Sequence, residues 1–345
     1  MSPPTPIRMG VAGVGSLGFH HARILRDLPE VRMAGFFDVD ARRAAFVSRE
    51  LGLESAGSLQ ELLSGVDALV VAVPTSSHEG VALAAAARGV HVLIEKPIAP
   101  SLDAADRILA AAGKAGIVVQ TGHVERFNGA LRAAAPYIDT PLFIESQRLA
   151  PFRPRGTDVA VVLDLMIHDV DLVRMLVQAP LAEIAAAGIP VLTHSVDIAN
   201  ARLTFRNGAV ANLTASRVSS EGRRMLRVFQ RSGYLRVDLA RGKGEFLRLR
   251  RDLPALLGDA REARLEEGKG GPDPGPPPGL EDIAERIPFE GFPEEPLRVE
   301  LEGFRDAALG RSDPVVSGDE GRAALEITLC IEKRILDHVA HSRTS

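Results

Sequence analysis

The spacing of apolar positions divides the chain in two. From residue 7 to about 124, short β-branched runs alternate with longer stretches of helical periodicity. The runs are IRMGVAG, VRMAGFFD, DALVVAVP, HVLIEKP and IVVQTG, and the helical stretches include FHHARILRDL, ARRAAFVSREL, HEGVALAAAARG and AADRILAAAGKAG. Continuous apolar runs mark strands covered on both faces, and their alternation with helices predicts an α/β domain built on a doubly wound parallel sheet over residues 1–124. After about residue 140 the runs become alternating, as in LFIESQRLA, DIANARLTF, AVANLTASRV, MLRVFQRSG and YLRVDLA, with RNGA and RSGY at the corners. That pattern predicts antiparallel hairpins, so residues 125–345 are expected to form an α+β domain.

Two stretches interrupt this second pattern. Between 252 and 296 lies a Pro/Gly/Glu-rich segment containing GKGGPDPGPPPG, read as a mobile loop or lid, with a plain surface insertion as the alternative. Helical periodicity then resumes, and a helix over 319–339 is expected to pack back on the body.

Candidate chemistry begins at GVAGVGSLG, where Gly13-x-Gly15-x-x-Gly18 follows a predicted strand and opens a predicted helix. Gly13 permits the tight turn, Gly15 allows close approach of a pyrophosphate, and Gly18 allows helix and strand to touch, while Ser16 and Leu17 open the helix whose amides face the phosphate. Asp38 ends the second strand, where a carboxylate accepts hydrogen bonds from a ribose diol and repels a 2′-phosphate. NAD is therefore favoured over NADP, although Arg42 and Arg43 follow closely and would suit a 2′-phosphate. AVPTSSH (72–78) and IEKP (94–97) are expected to end the fourth and fifth strands, beyond whose carboxyl ends ligands bind. Val73, Pro74, Thr75, His78, Glu95, Lys96, Pro97 and Gln120 are the further cofactor contacts expected. Lys96 would reach the reacting centre, or be a solvated lysine paired with Glu95.

The stretch DLMIHDVD (164–171) puts three aspartates and a histidine into a run otherwise read as a buried helix. On an α-helix Asp164, His168 and Asp171 share one sector and Asp169 points elsewhere. Buried charges are costly unless paired or used. The stripe is therefore a catalytic group, a structural network or a metal site. The first reading makes Asp164 the carboxylate that orients His168 as base, and the glycine-rich turn, which brings its own electron acceptor, argues against the metal.

Taken together, GVGSLG, Asp38, AVPTSSH, EKP and Asp164-x-x-x-His168 resemble the glucose-fructose oxidoreductase/inositol dehydrogenase/MocA (Gfo/Idh/MocA) family over nearly the whole chain. The resemblance implies a Rossmann domain followed by a domain with an open, mainly antiparallel sheet. It also implies that Lys96, Asp164 and His168 are the catalytic groups and that the sheet serves homodimer or homotetramer formation. QTGHVERFN, DLMIHDVD and RMLRVFQRSGYLRVDL are similar to the nucleotide-sugar branch, particularly the UDP-N-acetylglucosamine 3-dehydrogenases, which make a 3-keto sugar for 2,3-diamino sugars of lipid A or other surface glycans. On that reading His123 and Asn128 contact nicotinamide or sugar, and Arg153, Arg155 and Arg217 are candidates for the substrate diphosphate. The alternatives are a dehydrogenase of a free sugar or inositol-type polyol, and a non-catalytic NAD-binding regulator.

Composition narrows the field slightly. Lys+Arg 41 against Asp+Glu 45 gives a net charge of -4, which supplies no electrostatic reason for nucleic acid or an anionic membrane as partner. MSPPTPIRMG lacks the apolar core of a signal peptide, and a cytoplasmic setting is expected. The single cysteine, Cys330, lies in an apolar helical pattern and is read as a buried structural thiol.

Overall fold

The computed structural model describes residues 6–152, 159–250 and 279–342. The first unit is a five-stranded parallel sheet in the order β2-β1-β3-β4-β5, with β1 Ile7–Ala12, β2 Val31–Phe37, β3 Ala68–Val71, β4 His91–Glu95 and β5 Val119–Gly122. Its central strands are apolar at every position because helices cover both faces; Val11, Leu69, Val70, Val71, Leu93 and Ile94 are fully buried. AVPTSSH and IEKP follow β3 and β4, and not a fourth and fifth strand. The link from β2 to β3 holds the helices Ala41–Leu51 and Leu59–Ser64 with only an isolated bridge, Phe36 to Ser55.

The second unit is an eight-stranded sheet in the order β13-β12-β11-β10-β6-β9-β8-β7. Its strands are β6 Phe143–Leu149, β7 Leu181–Ile189, β8 Ile198–Phe205, β9 Val210–Ser216, β10 Arg223–Gln230, β11 Gly233–Asp238, β12 Lys243–Leu249 and β13 Ala284–Glu290. All neighbours are antiparallel except β6 and β9. Alternate residues such as Leu203, Leu213, Leu226, Val228 and Leu235 turn inward onto Val170, Leu172 and Val173 of the helix Ile167–Val177. The opposite face carries Phe143, Phe229 and Tyr234 in edge and tilted ring contacts, flanked by Arg227–Glu145 and Arg236–Glu245 pairs.

Part of the segment expected to be a loop is ordered. Residues 252–278 lie outside the described residues, but Leu280–Ile283 is helical and β13 adds to the sheet edge beside β12. The run AERIPFE pairs through its backbone with KGEFLRL, and its proline sits on an edge strand, where a missing N–H is tolerated.

The chain then returns across both units. Leu297, Leu301 and Phe304 of the helix Pro296–Ala308 join Ile7, Met9 and Val11 in the core of the parallel sheet. The helix Gly318–Ser342 sends Leu325 into the first unit and Ile327, Ile331 and Ile335 into the second. Cys330 falls off that buried stripe and is exposed, contrary to the expectation of a core thiol.

Candidate active site

The turn after β1 forms a cradle in which two glycines are required by backbone contact. Gly13 has φ +83, and a Cβ there would lie 2.7 Å from the Ala72 carbonyl oxygen. A Cβ on Gly18 would lie 1.9 Å from the carbonyl oxygen of Gly13. Gly15 differs, since a Cβ there meets nothing within 4 Å and would project into open space. The helix Ser16–Arg26 starts with no side-chain cap, and Ser16 and Leu17 are exposed on its first turn. An uncapped helix start beside a bare backbone is an anion site. Asp38 is fixed at the end of β2 by accepting hydrogen bonds from the Val14 and Asp40 amides, at 2.8 and 2.9 Å. A cleft of about 540 Å³ runs past Gly13, Gly15, Asp38, Val73 and Pro74. Arg43 also lines it, but its guanidinium donates to the Val14 and Gly15 carbonyls and stacks over Phe19 and Phe46. These residues fit a dinucleotide, with pyrophosphate at the helix start and ribose at Asp38. Gly18→Ala is expected to open the turn, lowering the thermal midpoint by an amount equal to about 1–3 kcal/mol and weakening titrated cofactor binding.

Three expected cofactor contacts are committed elsewhere. His78 is buried, with its ring nitrogens 3.0 Å from the Pro97 and Val73 carbonyls, so it clamps the ends of β3 and β4 together. Gln120 is fully buried, and its amide donates to the Glu300 carbonyl. Glu95 is 2.6 Å from His21 and accepts from the Lys96 amide, so it is a support beneath the site. Thr75 is half-buried at the loop after β3, and a cis bond joins Lys96 to Pro97.

Lys96 projects from the end of β4 into the second unit. Its ammonium donates to the main-chain carbonyl of Asp164 and lies 3.5 Å from that residue's carboxylate. Burial pulls the Lys96 pKa down, with the Asp164 and Glu95 charges opposing. The Asp164 carboxylate is also 4.0 Å from Arg217. Asp164 therefore holds Lys96, and the expected Asp164–His168 orienting pair is not formed. The physical reason is local: residues Val162–Met166 form a π-helical turn, so i and i+4 no longer superpose until the α-helix Ile167–Val177 begins.

His168 opens that α-helix and makes no hydrogen bond among the described residues, its Nδ1 being buried without a partner. Burial first, then the Lys96, Arg148 and His123 charges, hold it well below the ordinary imidazole value, so the ring is neutral. His123 meets it edge to face at 6.4 Å between centroids and is itself buried, without a hydrogen bond to either ring nitrogen. Asn128 is not available to a ligand. Its amide donates to Glu125 and to the Leu239 carbonyl, while its oxygen caps the helix Gly129–Ala134. Arg217 donates to the Val159 carbonyl beside Asp164, and Arg153 and Arg155 lie outside the described residues.

The remaining aspartates of the helix are structural. Asp171 takes a bidentate pair from Arg126 at 2.8 and 2.6 Å, and Arg126 reaches Glu320 on the last helix. Asp171→Asn leaves a buried guanidinium short of its partner and is expected to cost about 3 kcal/mol, read as a fall in thermal midpoint. Asp169 pairs with Arg148, which also meets Glu125 at 2.7 Å. This second network was missed from sequence, although Arg148 alternates in phase with Ile144 and Ser146 on the inward face of β6. Among the described residues no cluster of His, Cys, Asp or Glu is arranged to hold a metal ion, and no helix is long and apolar enough to cross a membrane.

A dinucleotide cradle opening onto a buried lysine and a neutral imidazole defines a nicotinamide-dependent oxidoreductase acting on CH–OH groups. Family models agree: residues 7–123 match the oxidoreductase family, NAD-binding Rossmann fold, and residues 122–236 match the GFO/IDH/MocA C-terminal domain. The chain belongs to the Gfo/Idh/MocA family. A UDP-N-acetylglucosamine 3-dehydrogenase from Acidithiobacillus ferrooxidans is 42% identical over 235 residues, 67% of this chain and 74% of the relative. A solved structure bearing the same name and organism superposes with a TM-score of 0.83 at 32% identity, covering 96% of this chain and 98% of its own. A scyllo-inositol 2-dehydrogenase (NAD(+)) from Bacillus subtilis is 29% identical over 63% of this chain and 69% of its own.

Proposed function

We propose that the protein oxidises the C3 hydroxyl of UDP-N-acetylglucosamine to a ketone, with NAD as hydride acceptor, and so provides a 3-keto sugar for amination toward lipid A or another surface glycan. The observation that carries the reading is the convergence of Lys96 from the first unit with His168 from the second, linked through Asp164. The identity to the named sugar-nucleotide dehydrogenase supports the substrate over an inositol. Asp38 at the ribose end, with Arg43 committed to loop carbonyls, supports NAD over NADP.

A nicotinamide bound in the cleft supplies the hydride acceptor. Lys96, held by Asp164, donates to the substrate oxygen and stabilises the negative charge that grows as its proton leaves. His168, neutral because burial and nearby cations disfavour its charged form, takes that proton on its imidazole. The buried helix beneath them, Val170, Leu172 and Val173, keeps water from the far side of the site. Homo-oligomerisation through the aromatic face of the eight-stranded sheet belongs to the same proposal.

The test is absorbance of reduced nicotinamide after mixing the protein with NAD and either UDP-N-acetylglucosamine or an inositol. A 2-oxoglutarate arm recycles any tightly held reduced cofactor. Turnover with the sugar nucleotide is expected, and turnover with inositol alone would replace this substrate with a free polyol.

A further inference from the structure

Three arginines leave the eight-stranded sheet at one corner. Arg224 stands opposite Arg148 in the β10–β6 register, and Arg148 stands opposite Ala215 in the β6–β9 register, two residues before Arg217. On each strand the arginine shares its phase with inward residues: Leu226 and Val228 on β10, Ile144 and Ser146 on β6, Leu213 and Ala215 on β9. All three side chains therefore leave on the helix-covered side, the side that carries Asp164 and His168.

Their surroundings differ. Arg148 is buried and committed to Asp169 and Glu125. Arg217 is buried between the Val159 carbonyl and Asp164. The Arg224 side chain is 53% exposed, and its contact is to Glu125 at 3.1 Å, through the same oxygen that accepts from Arg148 at 2.7 Å. One carboxylate oxygen shared by two guanidinium groups leaves positive charge at this corner. His168 registers it, since Arg148 and Arg224 are both among the cations that depress its protonation.

We infer that Arg224 is a specificity-determining residue that receives the diphosphate of a sugar nucleotide beside the reacting sugar. The inference rests on the sugar-nucleotide reading above. A guanidinium fork matches phosphate oxygens in two parallel hydrogen bonds, and a half-exposed arginine at the edge of a buried site can make them without breaking a core pair. A neutral polyol gains nothing from the same residue, so Arg224 selects for the anionic substrate.

The test uses the full-length protein with Arg224→Gln and Arg224→Lys. KM for UDP-N-acetylglucosamine and the inhibition constant of UDP should rise about tenfold or more in Arg224→Gln, since a charge-assisted hydrogen bond is worth roughly a tenfold change or more in binding. In the same variant kcat should change by less than about threefold, because the lost contact binds ground state and transition state alike. Affinity for the reduced cofactor should stay at the wild-type value, and Arg224→Lys should recover part of the loss. Wild-type KM and UDP inhibition in Arg224→Gln would overturn the assignment of Arg224. A wild-type protein that neither binds UDP nor oxidises the sugar nucleotide would overturn the reading beneath it.

Discussion

Replacing Lys96 by methionine is expected to lower kcat about a hundred- to a thousandfold, the range seen when one donor to a developing oxyanion is removed. Methionine keeps the apolar stem and roughly its volume, so the packing at the end of β4 survives while the charge goes. The contacts of the Lys96 ammonium with Asp164 join the two units at the reacting centre. Cofactor titration should be little changed, since the cradle at Gly13–Gly18 lies at the other end of the cleft. The pH profile gives a second readout. Burial lowers the Lys96 pKa, so the cation is lost as pH rises through that lowered value, and the alkaline limb should fall below the ordinary lysine value of about 10.4. In Lys96→Met that limb should vanish.

His168→Asn is expected to lower kcat by about a hundred- to ten-thousandfold, the usual contribution of a positioned general base. The imidazole is neutral above its depressed pKa and takes up a proton as pH falls through it. The acidic limb of the wild-type profile should therefore lie below the ordinary histidine value of about 6.5 and disappear in the variant. The same depression links folding to pH. The unfolded chain takes up the proton first, so this histidine's contribution to stability is full above about 6.5 and shrinks as pH falls from there toward the lowered value.

The dinucleotide cradle was legible because its signals are local. Gly13, Gly15 and Gly18 sit within one strand–turn–helix, and Asp38 is one strand away. The alternating runs of the second unit were legible for the same reason: period two leaves the inward set, Leu213, Leu226 and Leu235, visible in the sequence. What failed was register and long-range pairing. A single π turn at Val162–Met166 has no signature in apolar spacing, yet it moves Asp164 from His168 to Lys96. His78 and Asn128 look free in sequence, and only the approach of Val73, Pro97 and Leu239 consumes their polar atoms. The segment 252–296 has the composition of a loop, but AERIPFE finds a partner strand in β12 that composition does not reveal. Glu300, fully buried and pushed well above the ordinary carboxylate value by burial and by Glu95, reaches the site only because the chain crosses back to the parallel sheet after β13.

The account makes one central claim, that Lys96 and His168 act on a single hydroxyl-bearing carbon next to the nicotinamide cleft. The most direct measurement supplies UDP-N-acetylglucosamine deuterated at C3 together with NAD, and weighs the reduced cofactor. Deuterium in the nicotinamide ring and a ketone at C3 of the sugar are the result predicted. Deuterium retained at C3 while the cofactor is reduced, or a label that ends in solvent, would contradict it.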